Sequence, residues 1–333
     1  MTNDGTLPPT PFSPKARLIV GVSGGSDSLG LLLFLQEQLP NSSQRLVAAH
    51  VNYGLRGAAS DRDEAVVRRF CKSRHLPFKK LRVRRFKDRV RREGRSLQEL
   101  AREVRYVFFQ KLVRQEKAWG VAVAHHLEDQ AETLLDRLLR GSGPRGLSGL
   151  RQVQKINFDP VLAPLSIWRP LLGFSKGQIQ SFLKSRKIPW REDGSNRENQ
   201  YRRNQIRNEI LPFLSRWNPG LTEALARLGE ITATEDLFMD GLLASVGPAL
   251  KSRWGRREYH CRADAFGQIP LALQRRWVRR AAERLSADAR GLSFERIEET
   301  IRLWCGQGRG PKDLGFGLAA GRDGARAFLR KKD

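Results

Sequence analysis

The chain has 333 residues, 40% of them hydrophobic and 29% charged, which suits about two domains of roughly 150 residues each. That composition excludes a small disulfide scaffold, a disordered chain and a collagen-like one. Sixty-one Lys and Arg against 35 Asp and Glu leave a net charge of +26, far beyond what solubility requires, so a polyanionic partner is expected.

Residues 1–15 hold four prolines and read as a flexible segment with no signal-peptide pattern, from which a cytoplasmic location is expected. The longest apolar run, Leu29 to Leu35, is far short of the ~18 residues of a membrane span. Basic residues are spread along the whole chain instead of lying on one amphipathic anchor, which favours nucleic acid over a membrane surface. Cys71, Cys261 and Cys305 fit neither a disulfide framework nor the paired spacing of a metal site.

Arg17 to Val22 (RLIVGV) predicts a strand, followed by the turn SGGSDS and a leucine-rich helix from Leu29 to Leu39. Strand and helix then alternate: a strand at Arg45 to Val51, a helix at Ser60 to His75, a strand at Phe78 to Val83, a helix from Leu97, a strand at Gly120 to Ala124, and a helix to Arg140. Ser96 and Glu99 make a capping box for the helix at Leu97. Such alternation predicts an α/β fold with a doubly wound, mostly parallel sheet. Gly141 to Gly149 (GSGPRGLSG) reads equally as a helix cap and connector or as a mobile piece of a site. A helix from Ser175, a turn at Asp193 to Asn196 and a helix to Leu214 complete a first domain, residues 16–216. After the Trp217-Asn218-Pro219-Gly220 linker comes a smaller, mostly helical C-terminal domain, residues 217–333, with a short tail from Leu314. In it Leu273, Trp277, Val278, Ala281 and Leu285 mark a buried helix face opposite Arg275, Arg276, Arg279, Arg280 and Arg284.

Ser23, Gly24, Gly25, Ser26, Asp27 and Ser28 lie between a strand and a helix, where main-chain N–H groups and the positive helix end converge on an anion. The loop fits neither G-x-x-x-x-G-K-[ST] nor G-x-G-x-x-G, and no lysine is present to neutralise terminal phosphates. Asp27 among phosphates is tolerable only with a bridging cation such as Mg²⁺, so Asp27 is the expected metal-side residue. The second cluster is AHHLEDQAET, in which His125, Asp129 and Glu132 stand at i, i+4 and i+7. Two carboxylates on one helix face suit a metal or an amine, and a nearby histidine can contact phosphate or move a proton. An acidic first turn complementing the helix dipole is the plainer alternative. Zinc is disfavoured, since no cysteine or third spaced histidine accompanies the cluster.

The SGGSDS loop resembles the pyrophosphatase-type loop of ATP-pyrophosphatase enzymes, which transfer AMP from ATP and release pyrophosphate. Further runs, in order over about residues 17 to 215, narrow the resemblance to the tRNA(Ile)-lysidine synthase family: HVNYGLR from His50, ELAREVRY from Glu99, HHLEDQAET, RLLRGSG from Arg137, Arg169-Pro170-Leu171, and RNQIR from Arg203 within Asp193 to Leu214. Tyr53 stands where the family commonly has a second histidine, and Glu128 where it often has aspartate. The resemblance implies the adenine nucleotide alpha hydrolase-like (PP-loop) fold, with ATP on Ser23 to Ser28 and magnesium on Asp27. It further implies that Asp129 and Glu132 bind free L-lysine and that His125 and Arg203 or Arg207 contact the phosphates or the adenylated intermediate.

The reaction so implied is ATP-dependent ligation of lysine to carbon 2 of the wobble cytidine of tRNA(Ile) with a CAU anticodon. The basic run from Lys79 to Arg95 is expected to contact RNA backbone, with specificity left to unstacked loop bases. A tRNA thiolase is disfavoured by the scattered cysteines, and a non-catalytic RNA binder by carboxylates facing RNA. Sequence leaves the oligomeric state open.

Overall fold

The computed structural model describes residues 6–191 and 202–332 and, for residues 287 and 290, only the backbone. The expected turn at Asp193 to Asn196 and the first five residues lie outside the described residues. The chain divides into two compact units, Met1–Ala233 and Thr234–Asp333.

In the first unit β1 (Leu18–Gly21), β2 (Leu46–Asn52), β3 (Phe78–Arg82), β4 (Val121–Ala122), β5 (Val153–Ile156) and β6 (Leu165–Trp168) form a sheet ordered β3-β2-β1-β4-β6-β5. Every pairing is parallel except β5 with β6. Both faces are covered, which is why the strands are apolar on both sides. Leu18, Val20 and Ala48 pack with α1 (Ser26–Gln38), α3 (Ala58–Ser73) and α8 (Lys176–Ser185), the short α2 (Ser42–Arg45) lying between α1 and β2 in the chain. Ile19, Val47, Ala49 and Val121 pack with Tyr106, Phe109 and Leu112 of α5 (Leu97–Gln115). Ser96 accepts the Glu99 N–H at 3.2 Å, the expected start of α5.

Part of the basic run folds into α4 (Phe86–Glu93), and β5 and β6 add strands that the sequence reading did not name. The chain leaves β1 toward β2 on one side and returns to β4 on the other, so the carboxyl ends of β1 and β4 bound a crevice at a topological switch point, where open α/β sheets bind ligands. After β4 come α6 (Leu127–Leu139) and α7 (Pro144–Leu147). The glycine-rich loop around α7 is a tied connector: Arg137 Nη1 donates to the Gly146 and Gly149 carbonyls, and the Leu150 N–H donates to Gln130 Oε1 at 2.6 Å. Gly149 has φ of +62°, and a β-carbon there would also meet the side-chain ends of Leu134 and Gln130 at 2.4 and 2.5 Å, so the position favours glycine. The chain continues through α9 (Arg202–Gln205), a π-helical turn (Ile206–Ile210), α10 (Leu211–Ser215) and α11 (Leu221–Val246).

The second unit joins helices to a five-stranded antiparallel sheet ordered β7-β8-β11-β10-β9, which the sequence reading did not name. Its strands are β7 (Arg253–Trp254), β8 (Glu258–Arg262), β9 (Lys312–Gly315), β10 (Leu318–Asp323) and β11 (Arg326–Lys331); its helices α12 (Ala263–Gln268), α13 (Leu271–Leu285) and α14 (Phe294–Trp304). The predicted apolar face of α13, from Leu273 to Leu285, is buried against Tyr259, Phe266 and Trp304. On its other side Arg276 pairs with Asp236 at 2.6 Å, Arg275 pairs with Glu298, and Arg284 lies over the Trp254 ring. No described helix is long and apolar enough to cross a membrane.

Candidate active site

The turn after β1 is shaped by Ser28. Its hydroxyl receives the Ser23 N–H at 3.0 Å and the Gly24 N–H at 3.2 Å, and donates to the Gly25 carbonyl. Gly24 has φ of +100°, and a β-carbon there would press on the Asp63 carbonyl at 3.3 Å, so glycine alone fits without strain. The turn delivers the chain into α1 with Asp27 in the first helical turn. There the first amides lack intrahelical acceptors and point their partial positive charge outward.

Across the crevice, His126 is the N-cap of α6. Its Nε2 lies 3.7 Å from Asp27 Oδ2 and 3.5 Å from Asp129 Oδ2, and its Nδ1 lies 2.8 Å from Glu128 Oε2. Burial opposes a charge on this ring. Hydrogen bonding to Asp27 and Glu128 and the charge of Asp129 overcome that opposition and raise its pKa to about 10. The ring lies between Asp27 and the α6 cluster. Burial would raise the Asp27 carboxyl as well, but His126, Ser26 and Lys176 bring it below its ordinary value. Glu128 accepts the Lys176 backbone N–H at 3.0 Å, fixing the start of α8 to that of α6.

Asp129 and Glu132 lie together, as their spacing predicts, and the segment after residue 201 brings two guanidinium groups onto them. Arg203 donates to Glu132 Oε2 at 2.9 Å and to Asp129 Oδ1 at 2.7 Å. Arg207 donates to both Glu132 oxygens, at 2.5 and 3.0 Å, and lies 3.4 Å from Asp129 Oδ1. The Glu132 side chain is 1% exposed and that of Arg203 46%, so the carboxylates form a rigid floor under longer, more accessible cations. The opposing charges hold the Arg207 pKa above its ordinary value even though burial acts against it. Arg207 stands in the π-helical turn, a local distortion frequent at functional sites.

His125 is placed elsewhere. Its Nδ1 accepts from Arg169 Nε at 3.1 Å, and burial together with the charges of Arg169 and Arg203 pushes its pKa well below the ordinary value, leaving a neutral acceptor. Arg169, itself fully buried, also donates to the Arg151 carbonyl and to Gln154. His125 thus orients a buried arginine, while its neighbour His126, which the sequence reading passed over, faces Asp27. Alternation continued past the two-residue β4 accounts for the split. His126 shares parity with Ala122, which packs on the α1 side of the sheet; His125 shares parity with Val121 and Val123, which pack on the α5 side.

A nest at a helix N-terminus, a carboxylate beside it and a carboxylate pair at the next strand end form one charged array that suits a phosphorylated ligand and a cation together. A family model for the PP-loop domain matches residues 5–214. The tRNA(Ile)-lysidine synthase of Solibacter usitatus is 36% identical over 318 residues, covering 95% of this chain and 67% of the relative. The chain belongs to the tRNA(Ile)-lysidine synthase family of PP-loop proteins. The family's member from Geobacter sulfurreducens is 37% identical over 295 residues, and the chain spans 60% of that relative's length. Among solved structures, a U34-tRNA thiolase with a [4Fe-4S] cluster from Methanococcus maripaludis is similar, with a TM-score of 0.56 and 19% identity over 69% of this chain and 76% of that one. This likeness supports the PP-loop fold of the first unit.

Proposed function

We propose that the chain ligates lysine to the wobble cytidine of tRNA(Ile) with a CAU anticodon, consuming ATP and releasing AMP and pyrophosphate. The observation that carries the reading is the continuous array from Asp27 through His126 to Asp129 and Glu132, with Arg203 and Arg207 upon it. It joins a phosphate nest to a seat for a cationic substrate in one crevice.

In the first step the cytosine 2-oxygen attacks the α-phosphorus of ATP. The bond to the bridging oxygen breaks, pyrophosphate leaves and AMP is carried on the base. Helix-terminal amides, His126, Arg203 and Arg207 hold the phosphate oxygens, so catalysis is mostly positioning and charge neutralisation. In the second step the ε-amine of lysine attacks ring carbon 2 and AMP departs with the 2-oxygen. Asp129 and Glu132 take the ammonium and amino groups of lysine, and one of them accepts the proton that the amine must lose.

Magnesium would arrive carried largely by the phosphates. Asp27, held below its ordinary pKa and one-third exposed beside the turn, would be the carboxylate that touches it, and the ion would supply neutralisation of phosphate charge. A cytoplasmic setting, where ATP, free lysine and tRNA coexist, is part of the proposal. The sulfur-transfer alternative is disfavoured because burial raises all three thiols, Cys71 to about 12, Cys261 to about 11 and Cys305 in the same direction, away from the reactive thiolate.

The test is incubation of the purified chain with the tRNA transcript, Mg-ATP and labelled lysine. AMP, pyrophosphate and a lysine-bearing nucleoside are expected in equal amounts. Cleavage of ATP between the outer two phosphates, or label that never enters the RNA, rejects the proposal.

A further inference from the structure

The basic run divides into two populations. Lys79 pairs with Glu116, Lys80 with Glu64, Arg82 with Asp61 and Glu64, Arg89 with Glu93, and Arg95 with Glu103. Arg84, Arg85, Lys87, Arg91 and Arg92 are all exposed and, among the described residues, form no ion pair within 4 Å, Arg92 acting on Glu93 only through its longer-range charge. These five follow β3 and run along α4, and three of them, Arg84, Arg85 and Lys87, line a cavity of about 430 Å³. Its other walls include Asn52, Tyr53 and Gly54 after β2, the paired Arg82 and Asp61, and the carboxylate of Asp88, and its floor includes Phe86, which is buried against the Tyr53 ring at 5.0 Å.

The wall is built firmly. Tyr53 Oη donates to the Ala101 carbonyl at 2.6 Å, and Asn52 donates to Asp61 and Glu64 while accepting the Gly54 N–H. Arg85 holds a left-handed backbone, φ 50°, a conformation that side-chain-bearing residues adopt at some energetic cost and that clusters at ligand clamps. The cavity opens at the carboxyl ends of β2 and β3, on the same sheet edge as the phosphate nest after β1. Neighbouring strands are about 4.8 Å apart, so the two sites are on the order of 10 Å apart across the sheet. Its size falls within the about 300–1,000 Å³ of small-ligand pockets.

We propose that this cavity and the uncommitted cations beside it grip the ribose-phosphate backbone of the tRNA flanking the modified base, whereas the paired half of the run only stabilises the fold. The inference rests on the RNA substrate proposed above. Phosphate contacts fix the register of a nucleic acid and carry no sequence information, so this ridge positions the strand while the crevice handles the base.

The experiment is filter binding of the tRNA transcript across a potassium chloride series, without ATP or lysine. The variant carrying Arg84→Ala, Lys87→Ala, Arg91→Ala and Arg92→Ala should bind at least tenfold more weakly. Its slope of log affinity against log salt should be shallower by about 2–4, near one per lost phosphate contact. The variant carrying Lys79→Ala, Arg89→Ala and Arg95→Ala should keep the wild-type slope even if its melting temperature drops. Equal slopes for wild type and the fourfold variant overturn the proposal, as does a fourfold variant that loses affinity for a non-hydrolysable ATP analogue and keeps it for RNA. Lysidine formation with an unchanged slope removes this inference alone; a wild-type chain that binds no tRNA removes the functional reading with it.

Discussion

Two buried carboxylate clusters stand on the carboxyl side of the same sheet and differ in how they are neutralised. Glu64, whose side chain is 3% exposed, receives Lys80 at 2.6 Å, Arg82 at 3.2 Å and Asn52 at 3.1 Å, with Arg68 from its own helix. Lys80 and Arg82 are two apart on β3, so strand geometry alone brings both to Glu64. Glu132 and Asp129 instead receive Arg203 and Arg207 from 71 to 78 residues away. Their cations come from a segment that belongs to neither strand nor helix partner in the sheet. A cluster closed by its sheet neighbours is a strut. One closed by long side chains from a separate segment is the kind that the proposed lysine seat requires, since its cations must give way to a substrate's.

That contrast can be broken in the α6 cluster first. Glu132→Ala leaves two guanidinium groups without their buried acceptor; loss of a buried charge partner costs about 3–5 kcal/mol, and lysidine formation measured with labelled lysine should fall below detection. Asp129→Asn should reduce lysine incorporation by about 30-fold or more, as for truncation of a hydrogen-bonded charge pair, while transfer of AMP to the tRNA falls far less. Equal losses in both steps would count against a lysine seat at Asp129.

The two adjacent histidines sharpen the comparison further. His126→Ala removes the cation between Asp27 and Asp129 and should raise the KM for ATP by about tenfold, the weight of one charge-assisted contact. His125→Ala should leave that KM alone and lower stability by about 1–3 kcal/mol in a urea titration, because it strips an acceptor from buried Arg169.

The smallest effect is at the strut. Burial would raise the Glu64 carboxyl, but Lys80, Asn52 and Arg82 lower it to about 2 from an ordinary 4.5. A carboxylate with a depressed pKa contributes stability that is complete above its unfolded value and disappears as the pH falls through the folded one. Glu64→Gln should therefore lower stability at pH 7 by about 1–3 kcal/mol. The gap to wild type, followed by denaturant melts, should close between pH 4.5 and about 2. A gap that persists unchanged at pH 2 would remove the electrostatic account of this cluster.

Much of the first unit was legible because its signals are local. Apolar β-branched runs gave β1 and β2, the alternation of strand with helix gave β3, the Ser96 and Glu99 pair gave the start of α5, and the spacing of Asp129 and Glu132 gave a shared face. Other parts were not. β4 is only Val121–Ala122, too short for a reading by pattern to tell which of His125 and His126 faces Asp27. The five-stranded sheet of the second unit is built from short, charge-rich strands such as EYHCR and RAFLRK. Two of five residues in the first and three of six in the second are exposed, so charge masked the alternation of Tyr259 with Cys261 and of Ala327 with Leu329.

The sequence by itself determined the turn between β1 and α1, because a strand, two glycines and a helix start are fixed by backbone preferences within a few residues. It likewise determined the net charge and the alternation that makes a parallel sheet. Tertiary structure alone decided which histidine enters the crevice, which arginines close on Asp129 and Glu132, and which basic residues between Lys79 and Arg95 remain uncommitted. Each of these depends on partners distant along the chain, and a charge acquires its role only from the opposite charge that the fold places within about 4 Å of it.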